Sequence, residues 1–137
     1  MVKPEVVRKR LNKLDEYLSI LHGLQKYSFE EFVADPEHYG SAERFLQLAI
    51  EGIGDLGNHV IADLGLGVVN RHSDIPSILA EQGYLNPELK ETWIRMIGFR
   101  NVLVHEYLDI DRKVVYEMLQ RHLDDIAALQ RVFAQFL

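Results

Sequence analysis

Apolar residues recur along this chain at the spacing of helices from one end to the other. Val7, Leu11, Leu14, Leu18 and Leu21 predict a helix over ~4–26, with Pro4 in its first turn. Ser28-Phe29-Glu30-Glu31 has the form of a capping box and opens a short helix that Asp35-Pro36 ends. Ser41 then reads as the cap of a long helix over ~41–69, whose core stripe is Phe45, Ala49, Ile53, Leu56, Val60 and Leu64. Gly52, Gly54 and Gly57 fall inside that helix, and each costs roughly 0.5–1 kcal/mol relative to alanine. Together they point to close helix–helix approach or a kink, with simple tolerance as the competing reading. Asp74-Ile75-Pro76 starts a short helix that Gly83 stops. Asn86-Pro87 opens another that runs to about His105, and Asp109 or Asp111 caps a last one that runs to about Phe136. No alternating apolar run is flanked by hairpin turns, so no strand is expected. The reading is a single all-α domain over 1–137, an antiparallel bundle of four to five helices.

Composition narrows the setting. At 47% hydrophobic and 26% charged residues the chain is globular. The lack of cysteine excludes disulfides and thiolate metal sites and suits a reducing cytoplasm. No apolar run reaches the ~20 residues a membrane span needs, and Met-Val-Lys-Pro-Glu lacks the apolar core of a signal peptide. The expected location is therefore the cytoplasm, with no membrane partner. A net charge of −6 argues against non-specific nucleic-acid binding, and no DNA partner is expected. It leaves room for a local basic site. Lys3, Arg8, Lys9, Arg10 and Lys13 crowd the N-terminus, where a solvated face is the simpler reading than an RNA track.

The segment from Trp93 to Val104 is almost wholly apolar, and only Arg95, Arg100 and Asn101 break it with strongly polar side chains. An arginine in such a run needs a polar or anionic partner: a phosphate, a cleft or a symmetry mate. His105 and Tyr107 follow, giving the spacing Arg-x(4)-His-x-Tyr. On a straight helix Arg100 and Tyr107 lie within about 20° of each other, but Arg100 and His105 are about 140° apart. One ideal helix therefore does not gather the three around one atom. Either the helix loosens near His105 or a two-fold partner supplies the missing side. The all-round apolar character of the segment favours the partner, because only the most central helix of a small bundle is covered on every side. Taken singly, Arg100 reads as an ion-pair arginine, His105 as a helix C-terminal histidine and Tyr107 as a ring with its hydroxyl at the rim.

Two weaker signals stand beside it. Glu51, Asp55 and His59 recur every four residues, with Asn58 adjacent. A single stripe makes a poor metal cage, and a solvated face is the simpler reading. The same stripe is alternatively placed to line the dimer cleft opposite His105, with Asp55 or Asn58 orienting a motif side chain. No Gly-rich phosphate loop, Gly-x-Ser-x-Gly elbow or His-Glu-x-x-His motif is present, so neither metal nor cofactor is expected.

The string Trp93-Ile94-Arg95-Met96-Ile97-Gly98-Phe99-Arg100-Asn101-Val102-Leu103-Val104-His105-Glu106-Tyr107 resembles the core of the HEPN domain, and more narrowly that of the HepT-like toxins. The resemblance extends over essentially the whole chain. It implies a HEPN-type homodimer in which motif copies from both subunits line a cleft at the two-fold axis. It implies a metal-independent endoribonuclease, the toxin of a toxin–antitoxin pair. It also implies a minimal nucleotidyltransferase antitoxin that adds AMP to the motif tyrosine, here Tyr107. The chemistry of the residues suits that account. Self-cleavage of RNA through its 2′-hydroxyl needs a proton acceptor, a proton donor and stabilisation of phosphate charge. His105 serves as acid or base, Arg100 holds the phosphate, Asn101 bonds the phosphate or orients His105, and Tyr107 donates to a phosphate oxygen. The alternative is a non-catalytic HEPN-like module that holds a nucleotide or protein in the same cleft.

Overall fold

A computed structural model describes residues 1–137. It is all helical: α1 (Pro4–Leu24), α2 (Phe29–Ala34), α3 (Pro36–Leu64), α4 (Asp74–Glu81), α5 (Pro87–His105), a single 3₁₀ turn (Tyr107–Asp109), α6 (Arg112–Arg121) and α7 (Leu123–Ala134). Five helices of ten residues or more form the bundle, and of the two shorter ones α2 packs on α3 and α6 and α4 on α3 and α5. No helix is long and apolar enough to cross a membrane.

The centre is α3, against which every other α-helix packs. It carries nine buried residues, Ala42, Leu46, Ala49, Ile50, Ile53, Leu56, Gly57, Val60 and Ile61, and so buries a broad stripe. Two members of the expected stripe, Phe45 and Leu64, lie at its margin and are only half-buried. The segment 93–104 is not central. Helix α5 packs on α3, α4 and α7 and buries only Trp93, Met96 and Leu103, leaving Val102 exposed.

Three boundaries differ from the sequence reading. Asp35-Pro36 ends α2, as expected, but also opens α3. The Asp35 carboxylate accepts the Glu37 N–H at 2.9 Å and Pro36 takes the first helical position, so Ser41 lies inside the helix. At the other end α3 stops at Leu64, not near 69. Gly65 adopts a left-handed φ of 61°, and the next N–H, of Leu66, folds back onto the Ile61 carbonyl at 3.0 Å. Continued apolar residues at Leu66, Val68 and Val69 hid that stop. Finally, the last helix is two. His122 leaves helical geometry at φ −118° and ψ 5°, and its Nδ1 lies 2.9 Å from the Asp125 carboxylate. The buried series Leu119, Leu123, Ile126, Leu129 and Phe133 runs straight through the break, so periodicity alone does not reveal it. Asp111, of the two candidates, is the cap of α6, accepting the Lys113 N–H at 2.9 Å.

Candidate active site

Helix α5 is fixed at its start by Asn86, whose side chain accepts the Leu89 N–H at 2.7 Å, with Pro87 in the first turn. Its rotation is fixed by Trp93, which meets the Phe133 ring edge-on at 5.9 Å between centroids. That rotation turns Arg100 towards α3. There Arg100 Nη2 and Nε reach the same oxygen of Glu51, at 3.3 and 3.4 Å, and its Nη1 donates to the Asn101 side-chain oxygen at 3.3 Å. Gln47, one turn earlier on α3, donates to the same Glu51 carboxylate at 3.2 Å. Both members of the ion pair are mostly sheltered, which holds the guanidinium in one direction.

The helix ends within the motif. His105 is the last residue of α5, and Glu106 departs to φ −123° and ψ 35° while its N–H still bonds the Val102 carbonyl at 2.9 Å. Tyr107 then sits in the 3₁₀ turn. The break thus comes after His105: it re-aims Tyr107 but leaves Arg100 and His105 five regular helical steps, about 140°, apart. His105 and Glu106 are exposed, Tyr107 is 68% exposed and Leu108 is 83% exposed.

Between α3, the loop joining α3 to α4, and α5 lies a cavity of about 480 Å³. It gathers four of the six expected site residues, Arg100, Asn101, Asp55 and Asn58, together with Glu51, Gly54, Asn70, Arg71 and His72. His105 and Tyr107 do not line it. Within the single chain neither Asp55 nor Asn58 bonds a motif side chain. Glu51 bonds Arg100, while Asp55 pairs with Arg10 of α1 at 3.4 Å. His59 turns to Asp63 at 3.0 Å, so the stripe divides among three partners and no three of its kind converge as a metal would need. Sequence reasoning missed Asn70, Arg71 and His72. Their polar cluster ahead of α4 is visible in the chain, but only tertiary packing sets it against Arg100.

The loop that carries them is pinned by Asp74, whose carboxylate accepts the backbone N–H groups of Asn70 and Arg71, both at 3.0 Å. The bond from the Arg71 N–H, then that from Asn70, holds the Asp74 carboxyl below its usual range. A depressed folded value means the contribution is complete above the unfolded pKa, about 3.9, and is lost as pH falls through the lower folded one. Relative to the intrinsic rate at each pH, amide exchange at Asn70 and Arg71 should therefore be slow at pH 7 and should lose that protection in acid only below the ordinary carboxylate range. In Asp74→Ala it should be fast throughout. Equal protection in parent and variant at pH 7 would remove this account of the loop.

The chain is similar to several other proteins over most of its length. Residues 8–132 match the family described as Ribonuclease HepT-like. The tRNA nuclease HepT of Aphanizomenon flos-aquae is 30% identical over 115 residues, 84% of this chain and 78% of that protein. The mRNA nuclease HepT of Shewanella oneidensis is 30% identical over 80 residues, 58% of this chain and 60% of that one. Among solved structures, the tri-AMPylated HEPN toxin of Shewanella oneidensis in complex with MNT antitoxin superposes with a TM-score of 0.89. That match has 21% identity and covers 97% of this chain and 99% of the other. A cytosolic protein of unknown function from Bacillus subtilis, YutE, superposes with a TM-score of 0.84 at 20% identity, covering 99% and 91%. The structural likenesses speak to the fold. With the family match spanning nearly every helix of the bundle, the chain belongs to the ribonuclease HepT-like family.

Proposed function

We propose that this chain is an endoribonuclease, the toxin of a toxin–antitoxin pair, and that it acts as a homodimer without a metal. The observation that carries the reading is the arrangement at the end of α5. Arg100 is aimed by Glu51, His105 and Tyr107 stand free at the surface, and exposed Val102 and Leu108 adjoin them. Exposed apolar residues beside polar catalytic groups suit a two-fold contact that brings a second motif alongside the first.

In the proposed reaction one His105 takes the proton of the 2′-hydroxyl. The 2′-oxygen bonds to phosphorus, the bond to the 5′-oxygen breaks, and the other subunit's matching histidine protonates the leaving oxygen. Arg100 neutralises the charge on the phosphate oxygens, with Asn101 beside it. The products are a 2′,3′-cyclic phosphate and a 5′-hydroxyl. The net charge of −6 opposes broad RNA affinity, so a restricted target such as structured tRNA fits best. The two HepT nucleases of this family act, by their names, on tRNA and on mRNA.

Tyr107, with its hydroxyl at the surface, is the proposed acceptor of AMP from a minimal nucleotidyltransferase antitoxin. The tri-AMPylated toxin of Shewanella oneidensis is the precedent. AMP on that oxygen would remove a donor, add negative charge and fill the cleft. A non-catalytic binding module is the second reading, favoured by the position of His105 outside the cavity that holds Arg100.

The test is cleavage of a tRNA pool by purified protein in excess EDTA, with intact mass measured on the same sample. Cyclic-phosphate ends formed by a dimer of unmodified mass support the nuclease. A silent protein whose mass is raised by AMP units supports the silenced toxin. A silent, unmodified protein overturns the proposal in favour of the binding module.

A further inference from the structure

We propose that the cavity beside Arg100 is a subsite for one ribonucleotide of the RNA, with Arg71 on its phosphate and an apolar floor under its base. The proposal rests on the ribonuclease reading and extends it from the scissile phosphate to the neighbouring nucleotide.

The charges in the cavity are the first argument. Its two carboxylates are already met, Glu51 by Arg100 and Asp55 by Arg10. Arg71 also lines the cavity and its guanidinium forms no ion pair. The nearest loop acid, Asp74, is spent on the backbone N–H groups of Asn70 and Arg71 rather than on side chains. The loop thus presents an exposed arginine with no ion pair, felt by Asp74 only through space, with His72 next to it, at the rim of a cavity whose own acids are neutralised. That is an arrangement for an incoming phosphate.

The walls are the second argument. Ile50 and Ile75 are buried and Ile97 is half-buried, so the floor is apolar. Asn58 and Asn70 stand around it, each offering a carbonyl acceptor and an amide donor, and Asn101, whose side-chain oxygen accepts from Arg100, adds an amide donor. An apolar floor ringed by a few donor–acceptor groups suits a splayed nucleobase, which is how single-stranded RNA is read. The volume of about 480 Å³ is of the size that small-molecule sites have. Because Arg100 and Asn101 belong to both places, a nucleotide bound here adjoins the phosphate that Arg100 holds.

Gly54 gives a way to close the cavity without disturbing the fold. It lines the cavity from the middle of α3, and no side chain lies within 4 Å of a Cβ added there. Gly54→Leu therefore projects into open space, and Arg71→Ala removes the free cation. The probes are the four nucleoside 5′-monophosphates and inorganic phosphate, followed by NMR shifts of Asn58, Asn70 and His72. At least one nucleotide should saturate these shifts at a concentration about tenfold below that of inorganic phosphate. Arg71→Ala should weaken that binding about tenfold, and Gly54→Leu should abolish it with its circular dichroism unchanged. No saturable shift, equal binding of inorganic phosphate, or full binding by Gly54→Leu would each overturn the subsite. Binding needs no turnover, so the two readings fail separately. A protein that binds the nucleotide but cuts no RNA loses the nuclease and keeps the subsite. A nuclease that Gly54→Leu leaves at full rate on every RNA keeps the nuclease and loses the subsite.

Discussion

His105→Ala should lower RNA cleavage by at least about a hundredfold, and by as much as roughly ten thousandfold, the range that a positioned acid or base contributes. Its folding stability should stay within about 0.5 kcal/mol of the parent, as for other surface changes. Both halves follow from where the residue sits. It is exposed, it ends α5, and the last buried side chain of that helix, Leu103, precedes it. A protein that loses its cleavage but keeps its melting temperature has lost chemistry rather than structure. Arg100→Ala is the informative contrast, because it also strands the Glu51 carboxylate in a mostly sheltered place. That variant should lose both activity and some stability. Initial rates on a tRNA pool, paired with thermal melts of the same samples, separate the two. Equal rates for the parent and His105→Ala would move the activity to another site or another protein.

Gly57→Ala should destabilise the bundle by about 1–2 kcal/mol, which for a domain of this size lowers the melting temperature by roughly 3–10 °C. A Cβ at Gly57 would collide with the Cγ2 methyl of Ile75 and come within 3.0 Å of Trp93 Cη2. Neither neighbour has room to move. Ile75 is β-branched and buried on α4, and Trp93 is fully buried on α5. Overpacking of this kind costs about 1–3 kcal/mol, and the helix preference of alanine returns up to about 1. Three residues earlier the sign reverses. Gly54→Ala meets nothing, so it should stabilise by about 0.5–1 kcal/mol. Thermal melts of the two variants would show the opposition, and a stabilising Gly57→Ala would contradict the packing described.

The glycines show what a sequence can and cannot say. Their presence in one helix signals close approach, and close approach is found, but only at Gly57 do α4 and α5 come that near. Which of the three mattered depended on contacts with residues far along the chain. The helical class, the capping box at Ser28 and the span of α5 are set by local spacing and caps, so they were legible. The break at His122 was not, because a kinked pair of helices and one straight helix bury the same stripe. The site divides the same way. Arg100, His105 and Tyr107 stand out by type and spacing in a run of apolar residues. The choice of Glu51 over Asp55 as partner of Arg100 is a matter of helix rotation, to which periodicity alone is blind. Arg71 was hidden for the same reason, since its loop looks like any polar connection until α5 is laid against it.

The central place of α3 bears on when in its own synthesis the protein completes its site. The first helix, α1, is made early, yet one of the surfaces it packs on is α7, whose last residue is Ala134. Glu51 likewise leaves the ribosome well before Arg100, its partner. A half-made chain therefore holds one side of the site against nothing, and the arginine is aimed only when the bundle closes around α3. The site on this plan is completed abruptly, when α7 docks on α1 and α3, rather than growing as the chain is extended.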